Sequence, residues 1–323
     1  MEIMAHVGRG LQPADRIVSA YTRARRYIGA HDRRHIVDSV WEAIRALPCP
    51  GWLAEAVGDP ALIAALNEKA PADFITACRD AVVQKYPQFS PTPYSPLGLR
   101  APGRVNRELL QELALEPQDE SSQIAAIMCA ALPGQNIIDY CAGAGGKALA
   151  LGLLLRGKGM IQAHDVNPAR LRDLNHRSAR LRLKNITKTT RPAGLYDRFI
   201  VDAPCSGTGT LRRAPDLKMR LSPARVEEFL RIQTEILDAA AGFVASNGRL
   251  LYFTCSVLRS ENEDQVAAFL SSHAEFRLVP AASIWAEVLP GKPYPHSNPD
   301  TLRLGPLTSG TDGFFIAAFE KAV

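Results

Sequence analysis

The 323-residue chain contains no CxxC pair, and no Cys/His cluster has the spacing of a zinc site, so no metal is expected. No apolar run approaches the roughly 20 residues that span a bilayer, which leaves no expected membrane partner. Met1 to Gly10 lacks the apolar core of a signal peptide, and the protein is expected in the cytoplasm. Neither the GxGxxG of dinucleotide-binding folds nor a Walker loop occurs. A Rossmann-type dehydrogenase is therefore disfavoured. Internal repeats and low-complexity segments are missing as well.

What is present suffices for a full core. Hydrophobic residues make up 46% of the chain, and the length suits two domains. A net charge of +5 and a pI near 8.9 lean mildly toward an anionic partner. The six cysteines should be free thiols in a reducing cytosol. Cys49, Cys78 and Cys129 sit among apolar neighbours and read as small core residues. Cys141, Cys205 and Cys255 fall at loop positions, where a thiol can reach a ligand.

In chain order, residues 12–47 read as helices, and helical patterns continue through 51–70 and 71–85. The exposed positions of the first helices are often arginine (Arg23, Arg25, Arg26, Arg33, Arg34), either a solvated face or a phosphate-contacting one. Pro87, Pro91, Pro93, Pro96 and Pro102 cannot continue a helix. The expected division is a helical segment 1–86, a Pro-rich linker 87–103 and a second domain 104–323. From 104 onward the pattern alternates. Strands are expected at 136–140, 160–164, 198–202, 249–254, 275–279 and 314–319. Helices are expected at 105–115, 123–131, 146–156, 167–183, 223–245 and 262–272, with Asp119 or Ser121 capping the second. Residues 280–312 read as a long surface loop. Such alternation implies an α/β, doubly wound, mostly parallel Rossmann-like sheet.

The chain is organised around 136–147. Ile137 and Ile138 read as a buried strand, Gly143, Gly145 and Gly146 as the turn leaving its carboxyl end, and Ala148 to Leu155 as a helix packed back on the sheet. That unit is either a nucleotide cradle or only a tight βα turn. Asp165 follows the next strand where a ribose diol is commonly held, though it can also cap the helix after it. The helix 167–183 carries Arg170, Arg172, Arg177, Arg180, Arg182 and Lys184, and Lys188 and Arg191 follow. Downstream, Asp202 to Gly209 and Phe253 to Ser256 each put a cysteine just past a strand, where open α/β sheets bind ligands. A second cationic cluster, Arg212, Arg213, Lys218 and Arg220, trails from Cys205 and is expected to contact phosphates.

Several segments, in order, carry a family resemblance: QDESSQ (118–123), DYCAGAGGK (139–147), Asp165 with Arg170, DAPCSGTGTLRRAPDLK (202–218), TCSVLRSENE (254–263) and DGFF (312–315). With them the chain resembles the Fmu/Sun (RsmB-like) family of S-adenosylmethionine-dependent RNA cytosine-5 methyltransferases, over residues 116–320. The resemblance implies a class I methyltransferase domain at 104–323. It also likens the helical N-terminus to a shortened NusB-like, RNA-binding domain. The implied cofactor is S-adenosylmethionine, held by Cys141, Ala142, Gly143, Ala144, Gly145, Gly146, Lys147, Asp165, Arg170 and Asp202. Two departures stand out. Ala144 replaces the more common proline, and 185–196 holds no Asp or Glu where family members carry a third acid at the adenine.

Carbon 5 of cytosine is a poor nucleophile until a thiolate adds at carbon 6. A thiol is only a few per cent ionised at neutral pH, so nearby positive charge such as Lys147 should help. Chemistry alone leaves the choice between Cys205 and Cys255 open. The resemblance implies that Cys255 attacks, that Cys205 assists breakdown of the adduct, and that Asp202 hydrogen-bonds a flipped cytosine near N3. The expected activity is RNA (cytosine-5) methylation by a monomer, on rRNA before tRNA. The alternatives are a tRNA methyltransferase and a non-catalytic RNA-binding ribosome assembly factor of the same fold.

Overall fold

The computed structural model describes residues 2–8, 10, 12–25 and 28–323, so Arg26 lies outside the described residues. Its strands, in chain order, are β1 (Ala72–Ile75), β2 (Ser90–Pro91), β3 (Gly98–Ala101), β4 (Glu116–Pro117), β5 (Asn136–Asp139), β6 (Met160–Ala163), β7 (Ile186–Lys188), β8 (Tyr196–Asp202), β9 (Val244–Thr254), β10 (Phe276–Val279), β11 (Leu302–Leu304) and β12 (Phe314–Lys321). The large sheet runs β10-β12-β9-β8-β5-β6-β7, with β11 added beside β12. The strands β7, β6, β5, β8 and β9 are mutually parallel, and β12 is antiparallel to β9 and β10. Strand order reverses between β5 and β8, so a crevice opens at their carboxyl ends.

The residues explain this arrangement. Phe199-Ile200-Val201 and Leu250 to Phe253 are fully buried, as strands covered on both faces must be. Alternate side chains then serve two cores. On one face Ile137 and Ile200 pack with the helices Glu120–Ile127, Gly146–Leu154 and Leu174–Arg180. On the other, Ile138 and Val201 pack with Leu237 and Ala240 of helix Pro223–Ala241 and Phe269 of helix Glu263–Ser272. The sheet is doubly wound, as expected. Among the described residues, no helix is long and apolar enough to cross a membrane.

The N-terminal part departs from the expectation of an all-helical segment followed by a linker. Helices Glu2–Val7, Ala14–Ala24 and Ala30–Ala46 share a core of Val7, Val18, Val40 and Ile44. Helices Gly51–Val57 and Pro60–Leu66 place Leu53 and Leu66 against Leu211, Val257 and Leu258, on the loops after β8 and β9, and against Val226 of helix Pro223–Ala241. Beyond them, 72–75 is a strand and not helix. The supposed linker supplies β2 and β3 to a second sheet, β2-β3-β1-β4. Pro91 fits because β2 is a two-residue edge strand, where a missing N–H costs no ladder bond, and the other prolines fall outside the strands. Asp73 lies opposite Arg100, and the two form a bidentate ion pair at 2.8 and 2.9 Å.

Three further expectations change. The helix expected at 167–183 splits into a 3-10 turn, Pro168–Leu171, and a helix, Leu174–Arg180. Strand β7 was not expected. Residues 280–312 are not merely a loop: helix Ala281–Val288 buries Trp285 edge-on against Tyr94 and Tyr294, and β11 joins the sheet.

Candidate active site

The cradle forms directly after β5. Gly145 adopts φ +84°, and a Cβ there would stand 2.5 Å from Leu174 Cδ1, so glycine alone fits this turn. Helix Gly146–Leu154 starts at once; its N-cap is Gly145, which has no side chain to cap it, and Asp139 Oδ2 accepts from the Ala148 N–H at 3.2 Å. Asp165 is buried beside the turn. Its Oδ2 accepts from the Gly143 N–H at 2.9 Å and its Oδ1 from the Asn167 N–H at 2.8 Å, so the acid both braces the glycines and caps the next turn. Arg170 Nη1 pairs with Asp165 Oδ2 at 3.1 Å. Cys141 and Ala142 line this bend, and Ala144 gives its carbonyl to Arg177. Burial, followed by the charges of Asp139, Asp202 and Asp165, pushes the Cys141 thiol well up. Burial and the Asp202 charge push the Asp139 carboxyl up to about 7.

The two cysteine loops meet past β8 and β9. Cys205 Sγ and Cys255 Sγ lie 3.4 Å apart as free thiols. Gly209 donates to the Cys255 carbonyl at 2.9 Å, and Gly313 donates to the Gly209 carbonyl at 2.8 Å. A Cβ on Gly209 would lie 2.1 Å from the Gly313 oxygen, so the segments of Gly209 and Gly313 can approach only as glycines. Lys147 Nζ contacts Asp202 Oδ2 at 2.6 Å and sits 4.9 Å above the Phe314 ring. Burial lowers the Lys147 affinity for its proton, but the Asp202 charge and hydrogen bond, with Asp139 and Cys255 behind them, outweigh it and hold the ammonium above its ordinary value. Lys147, Asp202, Cys255, Asp119, Arg213 and Asp312 line one cavity of about 580 Å³ together with Asp73 and Phe74 of β1. The N-terminal sheet thus completes the site.

Some of what lines or braces this cavity escaped sequence reasoning. Arg213 bridges Asp119 Oδ2 and Asp312 Oδ2, both at 2.5 Å, tying QDESSQ to DGFF. Burial and the Asp119 charge push Asp312 up to about 7. Glu261, inside TCSVLRSENE, is wholly buried behind the thiols. Its position in a run of polar residues before a helix was the available signal. The cationic cluster after Cys205 also turns out differently. Arg212 donates to the Gly310 and Thr311 carbonyls, Lys218 to the Arg45 and Leu47 carbonyls and Asn67, and Arg220 to Asp216. These side chains hold the fold together and do not form a phosphate-facing patch. Arg177 and Arg180 are likewise spent on Glu116.

A glycine cradle at the switch point, beside two thiols on a sheet whose antiparallel β12 slots between β9 and β10, defines a Rossmann-like methyltransferase. A model of the 16S rRNA methyltransferase RsmB/F family matches residues 126–320. The chain belongs to that family. It is 35% identical over 213 residues to the probable ribosomal RNA small subunit methyltransferase B of Bacillus subtilis, covering 63% of this chain and 47% of the relative. Against the ribosomal RNA small subunit methyltransferase B of Thermus thermophilus it is 35% identical over 247 residues, covering 74% and 58%. The chain therefore spans about half the length of these curated relatives. The fold is also that of a methyltransferase homologue protein from Pyrococcus horikoshii, with a TM-score of 0.69 at 23% identity over 87% of this chain and 97% of the other.

Proposed function

We propose that this chain methylates carbon 5 of a cytosine in ribosomal RNA, using S-adenosylmethionine and a covalent cysteine adduct. The observation that carries the reading is the pair of thiols 3.4 Å apart, one of them lining the same cavity as the Lys147–Asp202 ion pair. The cofactor fits the residues present: a turn that only glycine can make, at a helix start whose N-cap carries no side chain, with a buried acid, Asp165, alongside. The backbone of 141–146 and the Asp165, Arg170 and Asp202 side chains would hold it. Bound there, S-adenosylmethionine supplies an electrophilic methyl on a sulfonium centre.

The chain's own groups do the rest. A base extruded from its stack, at about a few kcal/mol, enters between β1 and the cysteine loops. Cys255 adds through its sulfur to carbon 6, and the electron pair so released makes carbon 5 a nucleophile. Lys147 supplies the positive charge that favours a thiolate in the cavity. Asp202, fixed by Lys147, faces the ring near N3. After methyl transfer, solvent takes the proton from carbon 5, the pair left behind restores the carbon 5–carbon 6 double bond, the Cys255–carbon 6 bond breaks with its pair returning to sulfur, and Cys205 assists that breakdown from 3.4 Å away. Two alanine variants test the assignment on one denaturing gel with labelled RNA. Cys255→Ala should be inactive and leave no RNA-linked protein. Cys205→Ala should accumulate an adduct that survives denaturation. An adduct in Cys255→Ala would overturn the roles, and no adduct in either would remove the covalent mechanism.

A further inference from the structure

We propose that Glu261 is a positioning residue for the thiol pair: it fixes the Cys205 loop and assigns the proton shared by the two sulfurs to Cys205. The inference rests on the reading of the two thiols given above and adds a reason for their unequal roles. Glu261 is fully buried, and its side chain is held by neutral donors. The Ser206 N–H reaches its Oε1 at 2.8 Å, Gln233 Nε2 the same oxygen at 3.0 Å, and the Ser206 hydroxyl its Oε2 at 2.5 Å. Accepting three bonds and donating none is what a carboxylate does.

The same acid reaches both loops. Ser206, next to Cys205, also contacts the Ser256 hydroxyl beside Cys255 at 3.2 Å, and Thr208 contacts Ser256 at 3.1 Å. Tyr252 of β9 donates to the Glu261 carbonyl at 2.6 Å, and Gln233 donates to the Pro204 carbonyl at 3.0 Å. Glu261 thereby clamps the residues on either side of Cys205 against helix Pro223–Ala241. A buried carboxylate is costly unless it is hydrogen-bonded, and the Ser206 and Gln233 donors meet that need. Here its effect is directional. The charged and titratable groups around the pair are Lys147, Asp202 and Asp139 in front, Asp312 along the cavity, and Tyr252 and Glu261 behind. Lys147 shares its cavity with Cys255, and Glu261 is bonded to Ser206, the residue next to Cys205. The hydrogen bond to Cys255, burial, the charge on Cys255 and, after them, the Glu261 charge push the Cys205 thiol well up, against the Gly207 N–H, which favours the thiolate. Cys205 therefore keeps its proton and is ready to give it, while Cys255 faces the cavity as the nucleophile.

The test reads each thiol separately in the full chain without RNA. A thiolate displaces iodide from iodoacetamide, so the rate against pH, resolved by peptide mass spectrometry, gives a midpoint for each cysteine. Midpoints are independent of how exposed each sulfur is. In the wild type the Cys255 midpoint lies below that of Cys205. Glu261→Gln, which keeps the shape and removes the charge, should narrow the gap by about one pH unit, a tenfold change in thiolate population. Glu261→Asp should restore most of it. A Cys205 midpoint at or below that of Cys255 in the wild type overturns the proposal without any variant having to fold. An unchanged gap in Glu261→Gln, or in Glu261→Asp a gap as small as that of Glu261→Gln, does the same. With an RNA the wild type methylates, Glu261→Gln should lower kcat and leave KM for RNA in place. If no RNA is methylated, the function proposed above fails while the midpoints still decide this inference.

Discussion

Two runs of cations, at 212–220 and at 172–191, look alike in composition and behave oppositely in the fold. In the first, Arg212 and Lys218 are buried, and Arg213 and Arg220 are engaged by carboxylates. In the second, Arg177 and Arg180 are engaged by Glu116, and Arg172, Arg182, Lys184, Lys188 and Arg191 are exposed. The difference is one of supply. The first run passes beneath the helical N-terminus and the DGFF turn, where carbonyls and acids from distant parts of the chain converge. The second follows a short helix out to the sheet edge at β7. A cation beside an active site is therefore not by that fact a ligand-binding one.

The comparison breaks most visibly at Arg213. Removing its guanidinium leaves Asp119 and Asp312 facing each other, with side chains only 9% and 4% exposed. Loss of one partner of a buried pair costs about 3–5 kcal/mol, and the partly exposed guanidinium places Arg213→Ala near the low end, about 3 kcal/mol. Chemical denaturation should register this as a lower midpoint with the slope unchanged. A stability within about 0.5 kcal/mol of wild type would return Arg213 to the surface class.

Lys218 sharpens the contrast through packing. Its ammonium holds the carbonyls that close helix Ala30–Ala46 and the side chain of Asn67, fastening the N-terminal helices to the loop after Cys205. Lys218→Met keeps the volume and drops the bonds, at about 1–3 kcal/mol for acceptors left unsatisfied. Limited proteolysis should then cut first between 47 and 72. Equal resistance in wild type and variant would mean that the apolar contacts of Leu53 and Leu66 suffice on their own.

This pattern also shows what could be read in advance. The large sheet was legible because buried parallel strands are continuous apolar runs between helical patterns, and the cradle because only glycines make its turn. The thiol pair was legible because Pro-Cys and Thr-Cys blocks are chemically distinctive. The second sheet was not: β2 and β4 are two residues long, and proline-rich sequence reads as breakage until β3 is seen opposite β1. Trp285 concealed its helix in the same way, since its partners Tyr94 and Tyr294 come from different parts of the chain. The inward arginines were illegible for one shared reason. Arg213 and its partner Asp119 are 94 residues apart, and no local pattern says which way a guanidinium points.

The smallest effect on stability is expected where the largest effect on RNA binding is. Arg182 and Lys184 are exposed at the end of helix Leu174–Arg180, in a stretch from 174 to 191 that contains no Asp or Glu. Arg182→Ala/Lys184→Ala should change stability by no more than about 0.5 kcal/mol. If the chain binds single-stranded rRNA with this edge, each phosphate left without its cation takes about 0.7 off the slope of log K against log salt. The double variant should then bind RNA with a slope shallower by about 1.4, read by fluorescence anisotropy across a salt series. Arg213→Ala, measured under conditions where it is folded, should leave that slope as it is. A slope that flattens in Arg213→Ala and stays put in the double variant would invert the comparison and move the RNA path onto the cysteine side of the molecule.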